Sequence, residues 1–169
     1  MRRWIAAAIL FGGCAASTKN MRGDTEGPNV ALHVEAAVEG ESAKVTLHVE
    51  NRAEDAIGVD VDAIRLRDHA GRRYAALGLP QRFVRRGGEA VVRRVPHGAI
   101  NISPGGTQTI ALEFARLPEE EANYSLVVPA LYRLSIEGQV GLKAIRVPLR
   151  KSEGATATGE GGFQDPFAE

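Results

Sequence analysis

The chain has 169 residues, 44% of them hydrophobic and 25% charged, with 21 basic and 21 acidic side chains, so its formal net charge is zero. This is the composition of a globular domain rather than a low-complexity chain, and a neutral balance supplies no global field that selects a strongly acidic or basic partner. The single cysteine, Cys14, excludes an internal disulfide framework and a cysteine-based zinc cluster.

Arg2 and Arg3 open the chain, Trp4 to Phe11 is apolar throughout, and Gly12 and Gly13 precede Cys14. A basic start, a greasy run and small residues form the three-part layout of a secretory signal. A membrane-spanning helix needs about 20 apolar residues, and here Ser17, Thr18, Lys19 and Asn20 stop a much shorter run. Leu10-Phe11-Gly12-Gly13-Cys14 resembles the lipobox of bacterial lipoproteins, with Phe11 in the place where that family prefers leucine. The resemblance implies a signal peptide over residues 1–13, acylation of Cys14 and an exported protein held to the cell envelope by lipid. It also implies the outer membrane, facing the periplasm, because Ala15 rather than aspartate follows the cysteine. The other reading is an ordinary signal peptide cut after Ala16, which discards the thiol and releases a soluble secreted protein.

Residues 14–28, from Cys14 through "AASTKNMRGDTEGP", are small, polar and aperiodic, and read as a flexible tether. At the other end, residues 152–169 read as a disordered tail rich in Gly, Ala, Thr and acid. Residues 29–151 between them form the expected folded domain. In this stretch the period is two. Val30, Leu32, Val34, Ala36 and Val38 share one strand face, as do Ala43, Val45, Leu47 and Val49 on the next, with Gly40-Glu41-Ser42 as the turn. Pairing with residue numbers summing to 81 keeps apolar opposite apolar and places His33 opposite His48. Sums of 79 or 83 preserve the parity and separate the histidines.

Further along, Ile57, Val59 and Val61 are odd-numbered, whereas Ile64, Leu66, Tyr74 and Ala76 are even. That switch predicts a bulge or corner near Asp62-Ala63. Asp68-His69-Ala70-Gly71 predicts a hairpin turn, with Gly71 free to take positive φ. Leu79 to Gly98 reads as an arginine-rich connection holding a short edge strand at Ala90 to Arg94. Strands follow around Ile100 and Ile102, through Ile110, Leu112 and Phe114, through Tyr124, Leu126 and Val128, and through Tyr132, Leu134 and Ile136. Gly138 to Gly141 then turns the chain into a last strand ending near Leu149. The predicted class is all-β, an antiparallel β-sandwich or barrel.

Two segments narrow that class. "VTLHVENRAEDAIGVDVDAIRLRDHAGRRYAA" resembles the immunoglobulin-like domains of secreted bacterial proteins and lipoproteins, through Asn51, Glu54-Asp55 and the Asp68, Gly71, Tyr74 hairpin. "ISPGGTQTIALEFARLPEEEANYSLVV" resembles the later half of the same group. The implied fold is an immunoglobulin-like antiparallel β-sandwich. Glu120-x-Ala122-x-Tyr124-x-Leu126 resembles the tyrosine-corner run of immunoglobulin domains, which implies a structural role for the Tyr124 hydroxyl. The core tryptophan and disulfide of antibody domains are absent, since Trp4 lies in the signal.

No Gly-x-Ser-x-Gly elbow, P-loop or His-Glu-x-x-His motif occurs in the sequence. No cofactor and no catalytic set is expected. If His33 and His48 are opposed, their β-carbons stand about 4.5–5.5 Å apart, close enough for two imidazoles to share a metal. The plainer reading is two polar residues on a solvated strand face. Between Arg65 and Arg94, Arg65, Arg67, Arg72, Arg73, Arg82, Arg85, Arg86, Arg93 and Arg94 face only Asp68 and Glu89 in sequence, a candidate basic patch. Few aromatics accompany it, so a nucleic-acid partner is not expected. The functional expectation is a lipid-anchored, non-enzymatic interaction or structural module of the bacterial envelope, docking an unidentified envelope protein or component. The alternative is a metal- or small-ligand-binding lipoprotein that uses the His33/His48 face.

Overall fold

The computed structural model describes residues 18–84, 90–118 and 123–152. Among the described residues fourteen strands follow one another: β1 (Lys19–Glu26), β2 (Val30–Glu39), β3 (Ser42–Asn51), β4 (Ala56–Asp60), β5 (Arg65–Asp68), β6 (Arg73–Ala75), β7 (Leu79–Val84), β8 (Ala90–Val95), β9 (Ala99–Ile102), β10 (Thr107–Ala115), β11 (Tyr124–Val128), β12 (Leu131–Ser135), β13 (Gly138–Gly141) and β14 (Ile145–Lys151). They form an eight-stranded sheet in the order β10-β3-β2-β1-β14-β11-β5-β6, a four-stranded sheet β13-β12-β4-β9 and the hairpin β7-β8. All pairings are antiparallel. The fold is all-β and sandwich-like.

The core follows from the alternation. In β2 and β3 the inward residues Leu32, Val34, Val45, Leu47 and Val49 are buried, and β10 adds Ile110, Leu112 and Phe114 from the same side of the sheet. Ile57 and Val59 of β4, Ile64, Leu66, Leu126, Val128 and Val147 complete one continuous apolar cluster. The β2–β3 register sums to 81 at every pair, from Val30 opposite Asn51 to Glu39 opposite Ser42. Gly40, with a φ of 53°, makes the tight turn between them. The phase switch at residues 62–63 is a single 3-10 turn, Val61–Ala63, rather than a bulge.

Residues 14–28 do not form a tether throughout. Lys19–Glu26 is a strand that pairs along its whole length with β2 and, through Met21 and Arg22, with β14. It thereby joins the β2-β3-β10 group to β14-β11-β5-β6 in one sheet. The sequence concealed it because Met21 and Gly23 are its only buried residues, so almost no apolar alternation is present. Gly23 is required by close approach: a β-carbon there would lie 2.2 Å from the Pro148 carbonyl oxygen.

Three further expectations change. Leu79 to Gly98 holds two strands, β7 and β8, paired as a hairpin. Gly138–Gly141 is itself a strand, paired with β12 around a turn at residues 136–137. From the predicted tail only Ser152 is described; its N–H donates to the Asn20 carbonyl at 2.9 Å, and residues 153–169 lie outside the described residues.

Asn51, Asp68 and Ser125 are the buried polar residues among those described. Asn51 Nδ2 donates to the carbonyls of Asp55 (2.9 Å) and Ile102 (3.0 Å), and its Oδ1 accepts from the Ala53 N–H (2.9 Å). One amide therefore closes the β3–β4 loop and ties it to the end of β9. Asp68 accepts the Arg72 N–H (2.8 Å), Arg72 Nε (2.7 Å) and the Tyr74 hydroxyl (2.9 Å). Gly71, at φ 88°, lets the chain reverse between them. Burial opposes ionisation of Asp68, but these donors outweigh it and hold the carboxyl below its ordinary range. The Tyr124 hydroxyl donates to the Pro118 carbonyl at 3.3 Å, tying the start of β11 to the chain upstream of it.

Two outcomes test this architecture. Gly23→Val should lower stability by about 1–3 kcal/mol, because the new side chain displaces β14. Urea unfolding measures it, and an unchanged midpoint would mean that β1 is not part of the fold. Asp68→Asn should destabilise by about 1–3 kcal/mol at neutral pH by leaving buried donors poorly matched. The folded pKa of Asp68 is depressed, so its contribution is full above the unfolded carboxylate value and fades as pH falls through the folded one. Midpoints measured from pH 6 down to about pH 2 should therefore converge for wild type and variant at the acid end.

Candidate functional site

The outward face of the β10-β3-β2-β1 group carries a row of polar side chains across four strands. Asp24 stands opposite His33, His33 opposite His48, and His48 opposite Thr109. His33 Nδ1 meets Asp24 Oδ1, and its Nε2 lies 3.4 Å from Glu35 Oε1. His48 Nδ1 lies 2.9 Å from Thr109 Oγ1. The two imidazoles stack, with centroids 5.7 Å apart and planes 29° from parallel. A shallow depression beside them is bordered by Glu26, Glu50 and Arg52, and Arg52 bridges both carboxylates, at 3.3 Å and 3.1 Å.

The register thus brings the histidine pair together, but in an arrangement suited to hydrogen bonding. Stacked rings do not aim two lone pairs at one point, and both nitrogens of His33 already face carboxylates. The hydrogen bond to Asp24 dominates the environment of His33 and raises its pKa against the opposing effect of burial, with Glu35 adding to the rise. Raising that pKa favours the imidazolium, which has no lone pair to offer a metal. Among the described residues no group of three or more His, Cys, Asp or Glu side chains is placed to hold a metal ion.

The candidate arginine patch is redistributed by the fold. Arg72 is engaged by buried Asp68, and Arg94 of β8 pairs with Glu113 at 3.0 Å and donates to the Gly78 carbonyl at 2.9 Å. Arg93 is exposed on the β7–β8 hairpin. The side chains of Arg82, Arg85 and Arg86 lie outside the described residues, as does Cys14. Arg65, Arg67 and Arg73 stand on the outward face of β5 and β6, where Arg67 is directly opposite Arg73. Cross-strand pairing extends this face through Ser125 and Val127 of β11 to Arg146, Pro148 and Arg150 of β14, and on to Arg22 of β1.

Sequence reasoning missed Arg22, Arg146 and Arg150. On β14 the alternation of Arg146, Pro148 and Arg150 with buried Val147 and Leu149 was available as a signal. What brings them beside residues 65–73 is the pairing of β11 with both β5 and β14. The remaining histidine with a defined role is His97. Its N–H and that of Gly98 each donate to Asp62 at 2.8 Å, holding that carboxyl below its ordinary range despite partial burial and anchoring the β8–β9 turn to the 3-10 turn.

No helix among the described residues is long and apolar enough to cross a membrane. A scan against protein-family models finds no match, and neither does a search of curated proteins.

His33 should titrate above the ordinary histidine value near 6.5, and Asp24→Asn should move its midpoint down. Histidine ring NMR signals followed across pH measure both; an unmoved midpoint in the variant would sink the assigned contact. Because the folded pKa is raised, any stabilisation from His33 is complete below the unfolded value and is lost as pH rises through the folded one.

Proposed function

We propose that this protein is an exported, lipid-anchored, non-enzymatic interaction module of the bacterial cell envelope. The observation that carries the reading is the placement of Cys14, directly after the Leu10-Phe11-Gly12-Gly13 run and five residues ahead of the first strand residue, Lys19. Five residue steps reach at most about 18 Å. An acylated Cys14 therefore holds the sandwich against the membrane surface, not on a long stalk. Two or three acyl chains anchor far more firmly than one, since each buried methylene adds about 0.8 kcal/mol. The outer membrane is the assigned location, following the residue after Cys14. The chemistry on the domain supports docking: the polar side chains described are engaged in loop ties, in cross-strand rows and in an arginine-rich face.

Metabolic labelling with an alkyne fatty acid, followed by mass spectrometry of the mature amino terminus, tests this. The expected product begins at acylated Cys14, and Cys14→Ala abolishes the label. A free amine at Ser17 would overturn the anchored reading and leave a soluble secreted protein.

A further inference from the structure

The outward positions of β14, β11, β5 and β6 are Arg146, Pro148 and Arg150; Ser125 and Val127; Arg65 and Arg67; and Arg73 and Ala75. None is a carboxylate. With Arg22 from β1, six guanidinium groups share one sheet face about 20 Å across. Two pairs are directly opposite across strands, Arg22 with Arg150 and Arg67 with Arg73. Like charges so placed destabilise a sheet, and no ion pair to a described carboxylate offsets either. Arg22 does have Glu35 opposite it on its other side, but Glu35 turns to His33. Arg146 Nε donates to Ser125 at 2.9 Å and Arg65 to the carbonyls of Asp62 and Ile64, contacts that leave their charges uncompensated. Arg67 Nε is buried and has no hydrogen-bond partner. An open groove between β1 and β14, lined by Arg22, Arg150 and Lys151, lies at the β1 margin of this face; its one carboxylate, Asp24, meets His33 Nδ1.

We propose that this face rests on the phosphate-bearing lipid headgroups of the membrane that holds the anchor. Guanidinium forks match phosphate oxygens in geometry as well as charge, and each basic side chain near an anionic leaflet adds about 1 kcal/mol of attraction. A lipid surface is favoured over an acidic protein by position. Lys19, where the chain from Cys14 enters, lies at the same end of the sheet as Lys151, since Met21 pairs with Lys151. Arg22 and Arg150 follow within three residues of that end, so a tether of at most about 18 Å keeps this face beside the bilayer. The proposal rests on the anchored reading of Cys14 for its geometry.

The test uses the acylated mature protein in vesicles of phosphatidylcholine alone or with phosphatidylglycerol added. Phenylglyoxal modifies free guanidinium groups, and peptide mass spectrometry reads the rate at each arginine. On the anionic vesicles, modification of Arg67, Arg73, Arg146 and Arg150 should slow roughly threefold or more, with Arg93 unchanged, and high salt should remove the protection. Arg22→Gln/Arg150→Gln should weaken protection at the remaining positions; if that variant fails to fold, the wild-type comparison still decides. Equal rates on both vesicles would overturn the proposal. Protection by soluble polyglutamate without protection by anionic vesicles would overturn it too, and assign the face to an acidic polymer. Failure of the anchor is distinguishable, because an unacylated chain would not sediment with neutral vesicles while its labelling on anionic ones still reports on the face.

Discussion

The pairing of β2 with β3 decides the placement of almost every other side chain. With partners summing to 81, Val34 meets Leu47 and Ala36 meets Val45 on the inner face, while His33 meets His48 on the outer one. A slip of one residue would turn each apolar set to solvent, so burial of that face enforces the register. β10 then adds to β3 in matching phase, with Leu112 opposite Val45 and Phe114 opposite Ala43. The outer row Asp24, His33, His48, Thr109 is the reverse side of the same constraint. Its imidazoles meet because the core required the register, and their nitrogens are then taken up by Asp24, Glu35 and Thr109.

β1 is the second constraint. A sandwich whose edges are left open presents unpaired backbone groups to solvent and to other chains. By bonding to β2 on one side and β14 on the other, β1 covers both edges at once and merges their strands into one sheet. It achieves this through backbone pairing, with a glycine where Pro148 approaches and only one inward apolar side chain, Met21. The merger has a functional side. It places Arg22 beside Arg150 and completes an arginine face whose members come from three distant parts of the chain. It also shortens the link to Cys14, bringing that face toward the membrane in the anchored reading.

The polar residues that carry the immunoglobulin-like resemblance have structural work. Asn51 satisfies three backbone groups at the β3–β4 loop, and Asp68 gathers Arg72 and Tyr74 into a closed hairpin. Both are buried, where an unsatisfied polar group is costly, so each is fully engaged. Spacings such as Asp68, Gly71, Tyr74 therefore report on loop closure and say little about activity, which is why the functional reading turns to the outer faces and to Cys14.

Period-two alternation by itself determined β2, β3, β4, β10 and β11, the turns at Gly40 and Gly71, and the all-β class, because half-buried strands must alternate. It also supplied the sum of 81 as one of three parity-preserving registers. Tertiary structure decided among those registers, since parity is blind to shifts of two. It also decided the existence of β1, whose strand character comes from partners rather than from its own side chains, and of β13, a fully exposed edge strand with two glycines and no inward face. The arginine face was half legible: residues 65–73 cluster in sequence, but Arg22, Arg146 and Arg150 join them only through cross-strand pairing. Which charges share a surface is a property of long-range strand order, and no local pattern in the chain encodes that order.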